Sequence, residues 1–233
     1  MTYRLRTALA ALLTLLLSQV WAADELSPAE RALFMTDHLA ALRPPATLQY
    51  TFRKSGSLEA GFEDRVAVTL RAQTGAACCT ASTEFLGGPR RIKLPEIESA
   101  QGNPVILYFL ERDIREMQRL TRGKPNYFRK RIRMAVYQGA TIRDLAVIYQ
   151  GRSVAAREFV IAPYLDDPLR ARFEKLASKY YVFTLSGEVP GGVVSIQTQV
   201  AGDANAPLLR EEMTLDGIAS AGAARQPFSA SSP

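Results

Sequence analysis

Between residues 48 and 71 the chain alternates. Leu48, Tyr50 and Phe52 are separated by Gln49, Thr51 and Arg53, and Val66, Val68 and Leu70 by Ala67 and Thr69, with Arg65 and Arg71 on either side. A period of two sends the apolar set to one face of a strand and the polar set to the other, and Ser55-Gly56-Ser57 can turn the chain. The stretch therefore predicts an antiparallel hairpin with one wet face. Residues 80–86, closed by Gly87-Gly88-Pro89, predict a third strand, and 91–94, stopped by Pro95, a short fourth. Further on, Phe128, Ile132, Met134 and Val136 are interleaved with Arg129, Arg131, Arg133 and Ala135, which reads as another strand. Residues 141–150, 153–161, 180–185, 193–200 and 208–215 complete a set of about ten, with turns at Gln150-Gly151, 187–192 and 202–207.

Three segments have a helical period instead. Ser27-Pro28-Ala29-Glu30 offers an N-cap serine, a proline at the first helical position and a capping-box glutamate, and Arg43-Pro44-Pro45 ends the run. Phe34, Met35, His38, Leu39, Ala41 and Leu42 then share one arc of that helix. The central helix begins at Asn103-Pro104 and is expected to stop at Gly123 in a left-handed conformation. Its apolar stripe is Ile106, Leu110, Ile114, Met117 and Leu120, and its opposite side carries the i,i+4 pairs Glu111/Arg115 and Arg112/Glu116. A third helix is predicted to start at Asp167-Pro168 and bury Leu169, Phe173 and Leu176. Helix, strands, helix, strands, helix, strands predict an α+β fold: a curved antiparallel sheet, half-barrel-like, with two or three covering helices.

The N-terminus changes where such a domain is expected to work. Arg4 and Arg6, an apolar run over 8–17 and small residues around Val20-Trp21-Ala22 have the three-part layout of a secretory signal peptide cleaved after Ala22. The run is about half a bilayer span, so the mature chain is expected to be periplasmic with no transmembrane segment. No lipobox cysteine follows. A single domain over 23–215 and a disordered Ala/Ser/Gly/Pro-rich tail over 216–233 complete the organisation.

Removing 22 residues costs two arginines, leaving 27 Lys and Arg against 23 Asp and Glu. That mild positive balance, with the one tryptophan lost in the signal, points to envelope surfaces and not to nucleic acid. Cys78 and Cys79 are the only cysteines. Adjacent Cα atoms lie about 3.8 Å apart, below the usual disulfide span of about 4.4–6.8 Å, so free or separately buried thiols are expected, with a strained vicinal disulfide or an intermolecular or metal role as the alternatives.

Candidate chemistry is sparse. His38 is the one histidine, and its helical position predicts an inward, packed side chain. No G-x-S-x-G, H-E-x-x-H or Walker-type loop occurs, and one histidine with two adjacent cysteines gives no zinc set; no metal or cofactor is expected. Of the carboxylates, Glu111 and Asp113 face different directions on a helix, and Asp166 and Asp167 suit a helix N-terminus. The basic run is more pointed. As a strand it would align Tyr127, Arg129, Arg131, Arg133 and Tyr137 on one face able to bind phosphate or carboxylate groups; otherwise it is a solvated face paired with Glu111, Asp113 or Glu116.

Gly102-Asn103-Pro104, residues 109–117 and 126–133, Pro163-Tyr164-Leu165-Asp166-Asp167-Pro168 and Val189-Pro190-Gly191-Gly192 together resemble a group of uncharacterised exported proteins of proteobacteria. The resemblance implies a compartment and no activity. The order of elements is also similar to the half-barrel of periplasmic lipoprotein carriers of the LolA type, in which a curved sheet holds acyl chains beneath helical lids. These features together suit a non-catalytic periplasmic binding or carrier protein for a lipid-like or apolar ligand, possible lipoprotein cargo included. Its cavity would be lined by Tyr50, Phe52, Val66, Val68, Ile114 and Met117, with His38 nearby. The alternatives are an envelope interaction module docking through the arginine-rich face, and a carboxylate-dependent enzyme.

Overall fold

A computed structural model describes residues 26–73, 79–100, 102–202 and 206–219. The signal sequence, Cys78, the centre of the 202–207 turn and the tail beyond 219 lie outside the described residues.

Eight strands form one antiparallel sheet: β1 (Ala46–Ser55), β2 (Phe62–Ala72), β3 (Cys79–Phe85), β4 (Thr141–Tyr149), β5 (Arg152–Ile161), β6 (Tyr180–Leu185), β7 (Val193–Val200) and β8 (Leu209–Leu215). Their order is β3-β2-β1-β8-β7-β6-β5-β4, an unclosed sheet with hairpin connections and one long return from β3 to β4. The first hairpin is as expected, with Tyr50 opposite Val66 and Leu48 opposite Val68. Eight strands replace ten because two alternating stretches are not strands. Ile92 makes one isolated bridge to Phe85, and residues 125–139 are helical.

Helix α1 (Pro28–Glu30) is a single turn that runs into a π-helical turn, Arg31–Met35, and stops at Thr36, which is extended. The Ser27 cap is made as predicted, its hydroxyl accepting from the Glu30 amide at 3.1 Å. The helix does not reach 43, so His38 lies on a turn and Met35 is exposed. Helix α2 (Pro104–Thr121) is capped by Asn103, whose side chain accepts from Val105 N at 3.0 Å and donates to Gly191 O at 2.8 Å. Its left-handed terminator is Arg122, φ 57, one residue before Gly123. Gly123 is needed for a different reason: a Cβ there would meet the Phe128 ring at 2.5 Å.

Helix α3 (Pro125–Gly139) occupies the basic segment. Proline in its first turn is compatible with a helix start, and Phe128, Ile132 and Val136, spaced by four, are its buried residues. Arginine alternation over 129–133 imitated a strand, but the apolar spacing is helical. Each such burial contributes roughly 1.5–3 kcal/mol, more than the exposed arginines can set against it. The predicted third helix is instead two 3-10 turns, Arg170–Arg172 and Glu174–Ser178, burying Phe173 and Leu176 and leaving Leu169 exposed.

Two further differences stand out. Cys79 is disulfide-bonded and not a free thiol. Residues 216–219, assigned to the tail by composition, turn back onto β4: Gln150 N donates to Gly217 O at 2.7 Å and Ala219 N to Ile148 O at 2.9 Å. No helix among the described residues is long and apolar enough to cross a membrane.

Candidate functional site

The sheet has two different faces. On the helix-covered face Tyr50, Phe52, Val66, Val68, Ile114 and Met117 come together as expected, but as packed core: five of the six are 0% exposed and Ile114 is 4%. His38 is half-buried at the edge of this core, where it lies against Gly192; its Nε2–H donates to the Ala32 carbonyl at 2.7 Å.

Helix α2 meets this face through charge as well as apolar packing. Arg112 and Glu116, on the side expected to face water, turn toward the sheet, and Asp113 does the same. Arg112 Nη1 donates to Glu211 Oε2 of β8 at 2.5 Å and lies 5.0 Å from the Phe52 ring centroid. Glu116 Oε1 accepts from Lys54 Nζ at 3.0 Å, and Lys54 also reaches Glu59 at 2.5 Å. Arg119 bridges Glu116 and Glu59 at 2.8 and 2.6 Å. Asp113 accepts from Lys179 and from Tyr181 Oη, the latter at 2.6 Å, with every partner 0% exposed. Four cations thus face four carboxylates. Burial alone would raise the Glu116 carboxyl, but Arg119, Arg112 and Lys54 hold it at about 2. Burial likewise opposes ionisation of Glu211, and Arg112 chiefly outweighs it, keeping that carboxyl below its ordinary value.

The arginine set is dispersed by the helix. At about 100° per residue, Tyr127 and Arg131 share one side of α3, while Arg129 and Arg133 lie on the other. Tyr127 Oη donates to Asp167, and burial followed by that carboxylate pushes the phenol up to about 12. Arg131 directs its Nε–H at the Pro163 carbonyl at 3.0 Å, within 2.8 Å of Asp167 Oδ2. Arg129 reaches Glu111 on α2 at 2.7 Å. Arg133 is exposed. No common anion-binding face is formed by the four. The carboxylates Glu111, Asp113 and Asp167 are each engaged in holding elements together, and no group of three His, Cys, Asp or Glu suited to a metal occurs among the described residues.

A site that sequence reasoning missed lies on the other face. Here a groove of about 750 Å³ runs between β1, β8 and β7 on one side and β4 with the 216–219 turn on the other. Its floor follows one row of the sheet, of which Arg143, Ser195, Thr214, Thr51 and Arg65 line the groove while Glu158 and Thr184 are buried between Arg143 and Ser195. Register places Arg143 of β4 opposite Glu158 of β5, Glu158 opposite Thr184 of β6, and Thr184 opposite Ser195 of β7. The row continues to Thr214 of β8, Thr51 of β1 and Arg65 of β2. The β6–β7 ladder shifts register beside it, between Thr184 and Leu185, and Val194 borders the groove at that bulge. Leu145 and Val147 give an apolar wall, with Leu215 and Ile218 beside them. Paired charges stand around it: Arg53 with Glu63 at 2.6 Å, Arg210 with Glu212 at 3.1 Å and Arg65 with Asp216 at 3.2 Å. Asp216 also accepts from Thr51 Oγ1 at 3.0 Å, which pins the turn over one end. The signal for this site was present as polar residues at single positions of seven strands; only the strand order brings them into one row.

No family model matches the chain, and no curated protein matches it. Among solved structures, the Mycobacterium tuberculosis lipoprotein LppX is similar at 8% identity and TM-score 0.32, covering 77% of this chain and 89% of that one.

Proposed function

We propose that this protein is a non-catalytic binding or carrier protein that takes up an amphipathic, lipid-like ligand on the helix-free face of its sheet, acting in the periplasm after export. The observation that carries the reading is the groove of about 750 Å³ with a hydroxyl floor and an apolar wall, a volume within the range of about 300–1,000 Å³ typical of small-molecule sites. Leu145, Val147 and Ile218 offer surface to a hydrocarbon chain, while Thr51, Thr214 and Ser195 offer hydrogen bonds to a polar head. The expected helix-side cavity gives way to this groove because Tyr50, Phe52, Val66 and Val68 are closed off beneath α2, which the buried ion pairs hold in place. The N-terminal signal layout supports export.

Native mass spectrometry of the protein purified from its own envelope tests the reading. A lipid co-purifying at one per chain supports it; an apo protein that also fails to load lipid from vesicles refutes it.

A further inference from the structure

Among the described residues, two oxygen atoms on the helix-free face lack partners within the fold. Glu158 Oε2 and Thr184 Oγ1 are buried without a hydrogen-bond partner, on side chains opposite one another across β5 and β6. Glu158 is 3% exposed and Thr184 0%. The other carboxylate oxygen, Oε1, takes Arg143 Nε at 2.7 Å. Their neighbours in the same row, Arg143 on one side and Ser195 on the other, line the groove. Leaving a buried polar group unmatched is costly, so a donor belonging to something else has a place here.

Charge narrows what that donor is part of. Each arginine along the groove already faces a carboxylate, Glu63, Asp216, Glu158 or Glu212. A purely anionic head group would meet attraction and repulsion together, whereas one carrying both signs satisfies both. Arg143, its side chain 59% exposed, presents a guanidinium to a phosphate. Glu158 Oε2 then receives a cationic N–H. A trimethylated nitrogen donates no hydrogen bond, so a primary ammonium fits and a choline does not.

We propose that the end of the groove lined by Arg143 and Ser195, with Glu158 and Thr184 buried in the row between them, is a head-group subsite for a zwitterionic amphiphile bearing a primary ammonium beside a phosphate, of the phosphatidylethanolamine class. The assignment rests on the groove being the carrier site. Arg143 takes the phosphate, Glu158 and Thr184 take the ammonium, and Ser195 donates to a remaining phosphate or glycerol oxygen.

The test is competitive loading of the whole mature chain from vesicles containing equal amounts of phosphatidylethanolamine, phosphatidylcholine and phosphatidylglycerol with matched acyl chains, the bound lipid being quantified by mass spectrometry. Phosphatidylethanolamine is expected to be enriched roughly tenfold over both others, about 1.4 kcal/mol of discrimination. Glu158→Gln should bring its loading down to that of phosphatidylcholine, and Thr184→Val, similar in shape, should reduce the enrichment several-fold. Equal loading of the three lipids, or enrichment that survives both variants, overturns the head-group assignment and leaves the groove as a lipid site. Absence of any lipid from the wild-type protein overturns both.

Discussion

Replacing Lys179 by Met tests whether buried charge holds α2 to the sheet. Lys179 and Asp113 are both 0% exposed, and Asp113 has one further donor, Tyr181 Oη at 2.6 Å. Removing one member of a buried pair costs about 3–5 kcal/mol because the other is left uncompensated. With Tyr181 still donating, and Tyr181 itself 3.2 Å from Tyr164 Oη, the loss should lie at the lower end, about 3 kcal/mol. For a domain of this size that is roughly 6–12 °C in Tm. The companion double variant, Lys179→Met with Asp113→Leu, removes both charges and should recover more than half of the loss, since well-packed apolar replacements of such pairs are often neutral. Urea unfolding followed by far-UV circular dichroism, which needs no tryptophan, gives the four stabilities of the cycle. A loss below about 1 kcal/mol for Lys179→Met, or strictly additive effects in the double variant, would refute the reasoning.

Acid should weaken the same interface. The Glu116 carboxyl sits at about 2 against an ordinary 4.5, so its contribution is complete above pH 4.5 and is lost as pH falls toward 2; urea midpoints across that window should fall less steeply for Glu116→Gln than for wild type. Asn103→Ala removes both the α2 cap and the bond to Gly191 O, and should cost about 1–2 kcal/mol in the same unfolding assay. On α3, Arg131→Glu would oppose buried Asp167 and cost on the order of 2 kcal/mol, whereas Arg129→Glu, at a half-exposed pair, should cost less than about 1 kcal/mol; equal effects would mean that Arg131 does not support Asp167.

Strand positions were readable wherever one face was apolar, because sustained alternation scatters its apolar residues around a helix and gathers them on one side of a strand. The basic segment misled because two periods coexist there: arginines at 129, 131 and 133 have a strand's spacing, while Phe128, Ile132 and Val136 have a helix's. Burial decides between them, and only the apolar set is buried. The charges on α2 were misplaced for the opposite reason. Arg112 and Asp113 are buried, and Glu116 half-buried, against partners distant in sequence, Glu211, Lys179 and Lys54, and no local pattern announces such pairing. The groove was invisible for a topological reason. Its floor residues occupy the wet positions of separate strands, and β1 lies beside β8 only in the folded sheet.

The carrier reading places the ligand in the helix-free groove and not in the core beneath α2. Thr214→Trp fills the middle of the groove floor from a partly exposed position without touching the helix-side core. Lipid loading from vesicles, measured by native mass spectrometry on wild type and this variant with matched circular dichroism spectra, distinguishes the two locations. One lipid per chain is expected for wild type and at least a tenfold loss for Thr214→Trp; equal loading of the two proteins would exclude the groove as the ligand site.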